Sequence, residues 1–271
     1  MSDWNEIAQF AQEIAREAGH LIRQERDQQT VSLNYKTHQE LVTSADLKSD
    51  QLIRSRIQQR FPEHQILSEE LAPNYSSPEL LQSQLWIIDP IDGTVNYVRN
   101  HQMCAVSIAY AEAGQVRVGA VYCPFLEELF HVVQGEGSYL NEQRLQSTTQ
   151  TELRGALIGT GFPYNREERP KLIPKFQKML ESCGDIRRIG AASLDICWIA
   201  AGRMDGFFEA LSPWDFAAAQ LVVREAGGKI GHIGEVPPGV PPEPVSYTHL
   251  RAHETPEHRG WGGGGVKKKV G

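Results

Sequence analysis

The feature that most constrains the fold is the alternation of two hydrophobic periods along residues 4–228. Stretches whose apolar residues recur every three or four positions predict amphipathic helices, and they interleave with short runs that read as strands. The predicted helices cover 4–22, 45–60, 170–183, 194–202 and 214–228; the predicted strands cover 31–35, 64–68, 85–88, 104–111, 116–123, 127–133 and 204–210. The two kinds follow no strict βαβ repeat, so the predicted fold class is a layered α/β or α+β sandwich.

Composition narrows the class of protein. A chain of 271 residues, 40% of them hydrophobic, can bury a sizeable core, either as one large domain or as two intimately packed ones. A net charge of -7 argues against a nucleic-acid groove, which needs a clustered basic face. Four scattered cysteines without metal-ligand spacing favour free thiols in a reducing cytosol. Without a secretory signal or a membrane-length apolar run, we expect a cytoplasmic protein with no membrane partner.

The composition changes abruptly after Gly228. The segment GEVPPGVPPEPV is followed by SYTHLRAHET, a GGGG run and KKK, none of which has an amphipathic period. Three histidines there, His249, His253 and His258, are interpreted as part of a solvated tail and not as a metal site. The segment SYTHLRAHET is similar to the translation of a sequencing-adapter sequence. We therefore expect one folded unit over 1–244 and a disordered, non-native tail over 245–271.

A short segment carries the first functional signal. Residues 86–97 read WIIDPIDGTVNY, an apolar run that ends in two aspartates. Carboxylates lose hydration beside a core, and bound cations would compensate for that loss. Asp89 and Asp92 would lie across one tight turn and share a pocket, and Gly93 would begin a helix whose N–H groups suit phosphate. Such a pair fits metal-assisted phosphate-ester hydrolysis; the alternative is a solvated, Asp-rich surface turn.

Further acidic residues stand at comparable positions. Glu69 and Glu70 end the strand-like QILS, and Asp215 stands at the start of a predicted helix. Each has an ordinary interpretation, because Glu69 and Glu70 could be a solvated loop pair and Asp215 could be a helix N-cap. Their joint occurrence with DPIDGT favours a metal site over these alternatives.

The segments ILSEE, DPIDGTVN and WDFAAAQLVVREAGG, in that order, resemble the three signatures of the inositol monophosphatase family of Mg²⁺-dependent, lithium-sensitive phosphatases. The similarity covers roughly residues 4–230 and includes KTHQELVTSAD, GAVYCPFLEELF, GEGSYLNEQRL, TGFPY and RRIGAASLDICWIAAGRMDGFFE. It is greatest with the bacterial inositol-1-monophosphatase branch. The resemblance implies an αβαβα sandwich of the sugar-phosphatase type and a homodimer.

The resemblance also implies roles for individual residues. The metal ligands would be Glu69, Asp89, Asp92, Asp215 and the main-chain carbonyl of Ile91. The attacking water would be held and deprotonated by Asp46 and Thr94 together with Glu69. The phosphate would be bound by the N–H groups of Gly93 and Thr94, and the polyol by Glu209 and the backbone around Gly190, Ala191 and Ala192. Lys36 would lie on a mobile flap near the metals, or else be a solvated surface lysine.

The chain departs from the family pattern at several points. Glu40 replaces the usual aspartate, the spacing between Glu209 and Asp215 is one residue shorter, and Ala219 stands where glycine is common. The family continues after EAGG with strands and a closing helix, which this chain is expected to lack. These differences bear on the sugar contacts more than on the metal ligands.

The predicted function is hydrolysis of inositol monophosphate, or a similar small polyol phosphate, by water activated by Mg²⁺. The enzymatic alternatives are fructose bisphosphatase, histidinol phosphatase and nucleotide 3′-phosphatase. A regulatory protein that binds the transcription machinery is an alternative of another class, because bacterial members of this branch can make that association. Intact metal ligands favour the enzyme.

Overall fold

The computed structural model describes residues 3–28, 32–35, 41–71, 82–163 and 165–231. Its helices are α1 (Trp4–Asp27), α2 (Ser44–Arg60), α3 (Thr94–Val98), α4 (Arg169–Ser182), α5 (Ala192–Ala200) and α6 (Pro213–Glu225). Its strands are β1 (Leu33–Tyr35), β2 (Leu41–Thr43), β3 (Gln65–Ser68), β4 (Leu85–Asp92), β5 (Ala105–Glu112), β6 (Gln115–Cys123), β7 (Glu128–Val133), β8 (Gly137–Leu140), β9 (Gln143–Arg144), β10 (Leu157–Thr160), β11 (Asp185–Arg187) and β12 (Gly206–Phe208).

The main sheet has seven strands in the order β3-β4-β5-β6-β7-β8-β9. β3 and β4 are parallel, and each later neighbour is antiparallel to the one before it. A smaller parallel sheet has the order β11-β10-β12, and β1 with β2 forms a separate hairpin. The parallel pair matters for the site, because β3 and β4 end at the same edge of the sheet.

Both faces of the main sheet are buried. Along β4, Leu85 and Ile87 pack into the core that contains α5 and α6, while Trp86 and Ile88 pack into the core that contains α1 and α2. This division follows from the two-residue period of a strand, and it explains why β4 is continuously apolar.

The smaller sheet adds two further layers. In β12, Phe207 packs against the core of α5 and α6, whereas Phe208 packs with α4 through residues such as Phe176. The layers therefore run helix, sheet, helix, sheet, helix. The predicted αβαβα sandwich is confirmed.

The predicted helices and strands are confirmed within the described ranges, with shifts at their ends. The first helix is longer than predicted and reaches Asp27; Asp3 caps it by accepting the N–H groups of Asn5 and Glu6.

All four cysteines lie in described ranges and are free thiols. The predicted boundary at residue 244 and the tail 245–271 lie outside the described residues and stay predictions. No described helix combines the length and apolar character that crossing a bilayer requires.

Candidate active site

The two aspartates of DPIDGT lie inside β4 and not on a separate turn. The strand runs through Asp92, and its pairing with β5 shifts register between Asp89, opposite Ser107, and Asp92, opposite Ala105. Three steps along β4 thus match two along β5, which is a bulge that redirects the strand end. Asp89 is 2% exposed and Asp92 is 7% exposed. The prediction of a tight turn is wrong in this detail, and so is the alternative of a solvated surface turn.

Strand alternation and one hydrogen bond bring Asp89 towards Asp215. Asp89 continues the series of Leu85 and Ile87, whose side chains face α6. Ser107, opposite Asp89 in the ladder, donates its hydroxyl to the carbonyl of Trp214 at 3.4 Å, one residue before Asp215. At the start of α6, the carboxylate of Asp215 accepts the N–H of Ser212 at 2.7 Å. Ser212 is the N-cap and Asp215 is the third helical residue, so the N-cap interpretation of Asp215 is wrong.

Glu69 joins this group through the parallel pairing of β3 with β4. Ser68 lies opposite Ile88, so Glu69 leaves β3 beside Asp89, and its N–H donates to the carbonyl of Ile88 at 3.2 Å. Glu69 is half-buried. The solvated-loop alternative is therefore wrong for Glu69. The structure brings together all four carboxylates that were predicted as metal ligands.

The electrostatics of the group follow from burial and like charge. Burial, and then the neighbouring carboxylates of Glu69, Asp92 and Asp215, raise the pKa of Asp89 well above its ordinary value. Burial, and then Asp92 and Glu69, also raise the pKa of Asp215. Burial raises the pKa of Asp92 to about 6, against hydrogen bonds from Ser193 and Ala192 that favour the charged form. Within the described ranges no lysine or arginine forms an ion pair with these three aspartates.

These residues fit a hard divalent cation. Carboxylate and carbonyl oxygens are the donors that Mg²⁺ prefers, and a cation would supply the charge that the pocket otherwise lacks. In the described part of the chain, no three His, Cys, Asp or Glu side chains are already arranged to hold one ion. Binding of an ion would therefore require some of these side chains to rotate towards it.

The residues predicted to hold the attacking water also lie together. The hydroxyl of Thr94 is 3.1 Å from Oδ1 of Asp46 and 3.1 Å from the carbonyl oxygen of Ile91. Asp46 is 1% exposed, and its other oxygen accepts the N–H of Thr43 at 2.8 Å. Burial raises the pKa of Asp46 to about 6. Ile91, the predicted carbonyl ligand, thus adjoins the predicted base.

Sequence reasoning missed the rest of the polar face of α2. The hydroxyl of Ser49 donates to the carbonyl of Pro90 at 3.1 Å, which supports the bulge of β4. Asp50 accepts the hydroxyl of Ser68 at 2.5 Å and pairs with Arg54 at 2.7 Å. A signal was available, because residues 46, 49 and 50 continue the helical stripe of Ile53 and Ile57.

Gly93 allows close approach between two segments of the site. Its backbone has φ +87°, and a Cβ there would lie 3.0 Å from the carbonyl oxygens of Gly190 and Met103. Binding of phosphate by the N–H groups of Gly93 and Thr94 stays a prediction.

The segment predicted to contact the polyol, Gly190 to Ala192, leads into α5. The N–H groups of Ala192 and Ser193 donate to the carboxylate of Asp92 at 3.1 and 2.7 Å, and the hydroxyl of Ser193 donates to the same carboxylate. The structure therefore links the predicted polyol segment to a predicted metal ligand. The sequence analysis did not single out Ser193.

Glu209 follows β12 and faces the same region. The carboxylate of Glu209 lies against Gly161: a Cβ there would be 1.8 Å from Oε2, so a larger residue would displace this side chain. Burial raises the pKa of Glu209 to about 8, although Arg188 acts in the opposite direction. Asp195 is 1% exposed, and burial followed by Asp92 and Glu209 raises its pKa as well. Lys36 and Glu40 lie outside the described residues.

Comparisons with known proteins agree with this geometry. Residues 3–259 match the sequence profile of the inositol monophosphatase family. The Nus factor SuhB of Escherichia coli strain K12 is 39% identical over 222 residues, which are 81% of this chain and 82% of the relative. The inositol monophosphatase of Anabaena (Nostoc) sp. PCC 7120 has a TM-score of 0.78 at 30% identity, over 93% of this chain and 92% of that one. SaIMPase-II with bound inositol monophosphate has a TM-score of 0.75 at 29% identity, over 90% and 89% of the two chains.

Proposed function

This chain belongs to the inositol monophosphatase family, and from that premise we propose that it is a Mg²⁺-dependent phosphomonoesterase acting on inositol monophosphate or a similar small polyol phosphate. Membership of the family supports a phosphatase. The substrate class is supported by the neighbour SaIMPase-II, whose structure contains inositol monophosphate. Lithium inhibition, a cytoplasmic location and a homodimer are further expectations from the family resemblance.

One observation carries the proposal: three buried aspartates and Glu69 lie close together at one sheet edge, where burial, and then the charges of the neighbouring carboxylates, raise the pKa values of Asp89 and Asp215. Such a cluster destabilises a fold unless a cation is bound there. Mg²⁺ would be held by Glu69, Asp89, Asp92, Asp215 and the carbonyl of Ile91. When bound, it supplies Lewis acidity and a water of lowered pKa.

The chain's own residues would position and deprotonate the water. The hydroxyl of Thr94 has one proton, which it donates to Asp46 or to the carbonyl of Ile91. Its oxygen is then free to accept a proton from a water molecule. Asp46, buried beneath it, can receive the proton that Thr94 gives up, while Glu69 would orient the same water from the end of β3.

The remaining predicted contacts concern the phosphate and its leaving alcohol. The N–H groups of Gly93 and Thr94, at the start of α3, would donate to phosphate oxygens. Glu209 and the backbone around Gly190, Ala191 and Ala192 would meet the hydroxyl groups of the polyol. Because these contacts lie away from phosphorus, they would determine substrate choice more than rate.

A hydrolysis assay tests the proposal. Purified protein is incubated with inositol 1-phosphate, fructose 1,6-bisphosphate, histidinol phosphate and a nucleoside 3′-phosphate, with Mg²⁺ and after chelation. We expect fastest turnover of inositol 1-phosphate, none after chelation, and inhibition by Li⁺. Undiminished turnover in chelator would overturn the metal mechanism, and preference for another ester would replace the substrate.

A second candidate function, association with the transcription machinery, is favoured by the name Nus factor that relatives at 38–39% identity carry. We propose to test it with purified RNA polymerase and the full chain in size-exclusion chromatography. Co-elution would support the association, and separate elution would contradict it. Light scattering of the chain alone tests the expected homodimer.

A further inference from the structure

Two segments of the candidate site are joined along a line that we call the seam. It comprises the contacts between residues 92–96, which follow β4, and residues 189–193, which lead into α5. The first segment holds predicted metal and phosphate contacts, and the second holds predicted polyol contacts. About 100 residues of chain separate the two, so nothing local requires them to meet.

One end of the seam is the carboxylate of Asp92. Its Oδ1 accepts the N–H of Ala192 at 3.1 Å. Its Oδ2 accepts two hydrogen bonds from Ser193, one from the N–H at 2.7 Å and one from the hydroxyl. Ser193 is fully buried, so its hydroxyl has no water to turn to. Three donors therefore hold the carboxylate of Asp92. Burial raises the pKa of this carboxyl to about 6.

The other contacts of the seam are made by Gly93 and Asn96. The backbone of Gly93 lies against Gly190, whose carbonyl oxygen would be 3.0 Å from a Cβ at position 93. The amide Nδ2 of Asn96 donates to the carbonyl of Ile189 at 2.9 Å and to that of Met103 at 2.7 Å. The two segments are thus in contact along the whole seam, and these contacts fix the position of one segment relative to the other.

We propose that Ser193 is a positioning residue that aims the carboxylate of Asp92 at Mg²⁺ and, through the seam, ties the metal site to the polyol segment. The inference rests on the proposed function. A hydrogen bond to a metal-ligating carboxylate fixes its orientation, and the loss of such a partner typically lowers metal affinity or activity by about 10–100-fold. The two backbone donors remain when the hydroxyl is removed, so we expect a value near the lower limit.

The test is calorimetric titration of the full chain with Mg²⁺ in the absence of substrate. We expect Ser193→Ala to bind Mg²⁺ about tenfold more weakly than the parent. Ser193→Thr retains the hydroxyl and is expected to restore most of the affinity. Ser138→Ala is the matched control, because Ser138 is also fully buried but its hydroxyl has no hydrogen-bond partner among the described residues.

Kinetics distinguish positioning from a general loss of structure. With saturating Mg²⁺, Ser193→Ala should have a raised KM for inositol 1-phosphate and a kcat within roughly threefold of the parent. A structural role would lower the melting temperature and the active fraction and leave the Mg²⁺ affinity of the folded protein unchanged. If Ser193→Ala is insoluble, Ser193→Cys preserves most of the volume with a weaker donor and should show the same direction of change.

The outcomes separate this inference from the proposed function. A parent that binds no Mg²⁺ overturns both. A parent that binds Mg²⁺ while Ser193→Ala binds it equally well overturns only the role of Ser193. A Ser138→Ala variant as weak as Ser193→Ala would also overturn that role, since burial and not the hydrogen bond would then explain the loss.

Discussion

The buried carboxylates near the ends of β3 and β4 differ in how their negative charge is balanced. Asp50, on α2, is 2% exposed and has an ion pair with Arg54 at 2.7 Å as well as the hydroxyl of Ser68. Asp89 and Asp92 are comparably buried, but their charged neighbours are other carboxylates. The charge of Asp50 is neutralised by the chain itself, whereas we propose that a bound cation balances the charges of Asp89 and Asp92.

This difference separates a structural role from a functional one. Asp50 supports Ser68, the last residue of β3, and thereby the position from which Glu69 leaves the strand. Its interactions are complete in the protein alone. The aspartates of β4 accept hydrogen bonds within the protein but form no ion pair among the described residues, and such uncompensated buried charge is typical of functional sites. Substitutions of Asp50 and of the β4 aspartates should therefore have different effects.

The largest expected effect is on turnover in Asp92→Asn. The substitution preserves shape but removes a charge that the metal needs, so kcat/KM should fall roughly a thousandfold, equivalent to about 4 kcal/mol. Initial rates with inositol 1-phosphate measure the fall, and the circular dichroism spectrum should be unchanged. Near-parental turnover would show that this carboxylate does not bind the metal.

The matched substitution at the carboxylate that has an ion pair is Asp50→Asn. It leaves Arg54 without its carboxylate, and breaking a buried ion pair costs about 3–5 kcal/mol. Because Arg54 is 28% exposed, we expect a smaller loss, about 2 kcal/mol of unfolding free energy, with Mg²⁺ affinity within about threefold of the parent. Urea denaturation measures the stability. If Mg²⁺ affinity instead falls strongly while the unfolding free energy is unchanged, Asp50 contributes to the metal site.

Glu209→Ala should affect substrate choice more than rate. Its carboxylate lies against Gly161 and is expected to meet the polyol and not phosphorus. We expect KM for inositol 1-phosphate to rise about tenfold and kcat to stay within a few fold. Simple esters such as β-glycerophosphate are the control, and they should be affected less. Equal loss with both substrates would contradict this role.

The final expected effect is on stability and not on turnover: in chelator, the melting temperature should depend on pH. Burial raises the pKa of Glu209 from 4.5 to about 8 and that of Asp46 from 3.8 to about 6. Such groups stabilise the fold fully below their unfolded pKa, and this contribution is lost as pH rises through the folded value. The melting temperature should therefore fall by on the order of ten degrees between pH 4.5 and 8.

Two controls accompany the pH series. Glu209→Gln removes one of the titrating groups, so the decrease above pH 6 should become shallower. Added Mg²⁺ should reduce the decrease, because it binds the folded state and compensates the carboxylates. A melting temperature that rises steadily over this range in chelator would contradict the assigned pKa shifts.

Much of the fold was predictable because helix and strand periods are local properties. The stripe of α1 and the apolar run of β4 reflect backbone geometry over a few residues, and both appear where the sequence places them. The acidic positions were predictable for the same reason, since Glu69 follows β3, Asp92 ends β4 and Asp215 lies in the first turn of α6. The tight turn at Asp89–Asp92 was wrong, because a proline and an aspartate suggest a turn where pairing with β5 instead extends the strand through a bulge.

The sequence by itself thus determined which segments form elements and which side chains carry charge. Only the tertiary structure decided that Ser193 holds Asp92 and that Ser68 meets Asp50. The physical reason is distance along the chain: a hydrogen bond between residues 92 and 193 depends on strand order, layer packing and the register of a bulge. The spacing of apolar residues along a short segment specifies none of these three features. They are set when both faces of the main sheet are buried at once.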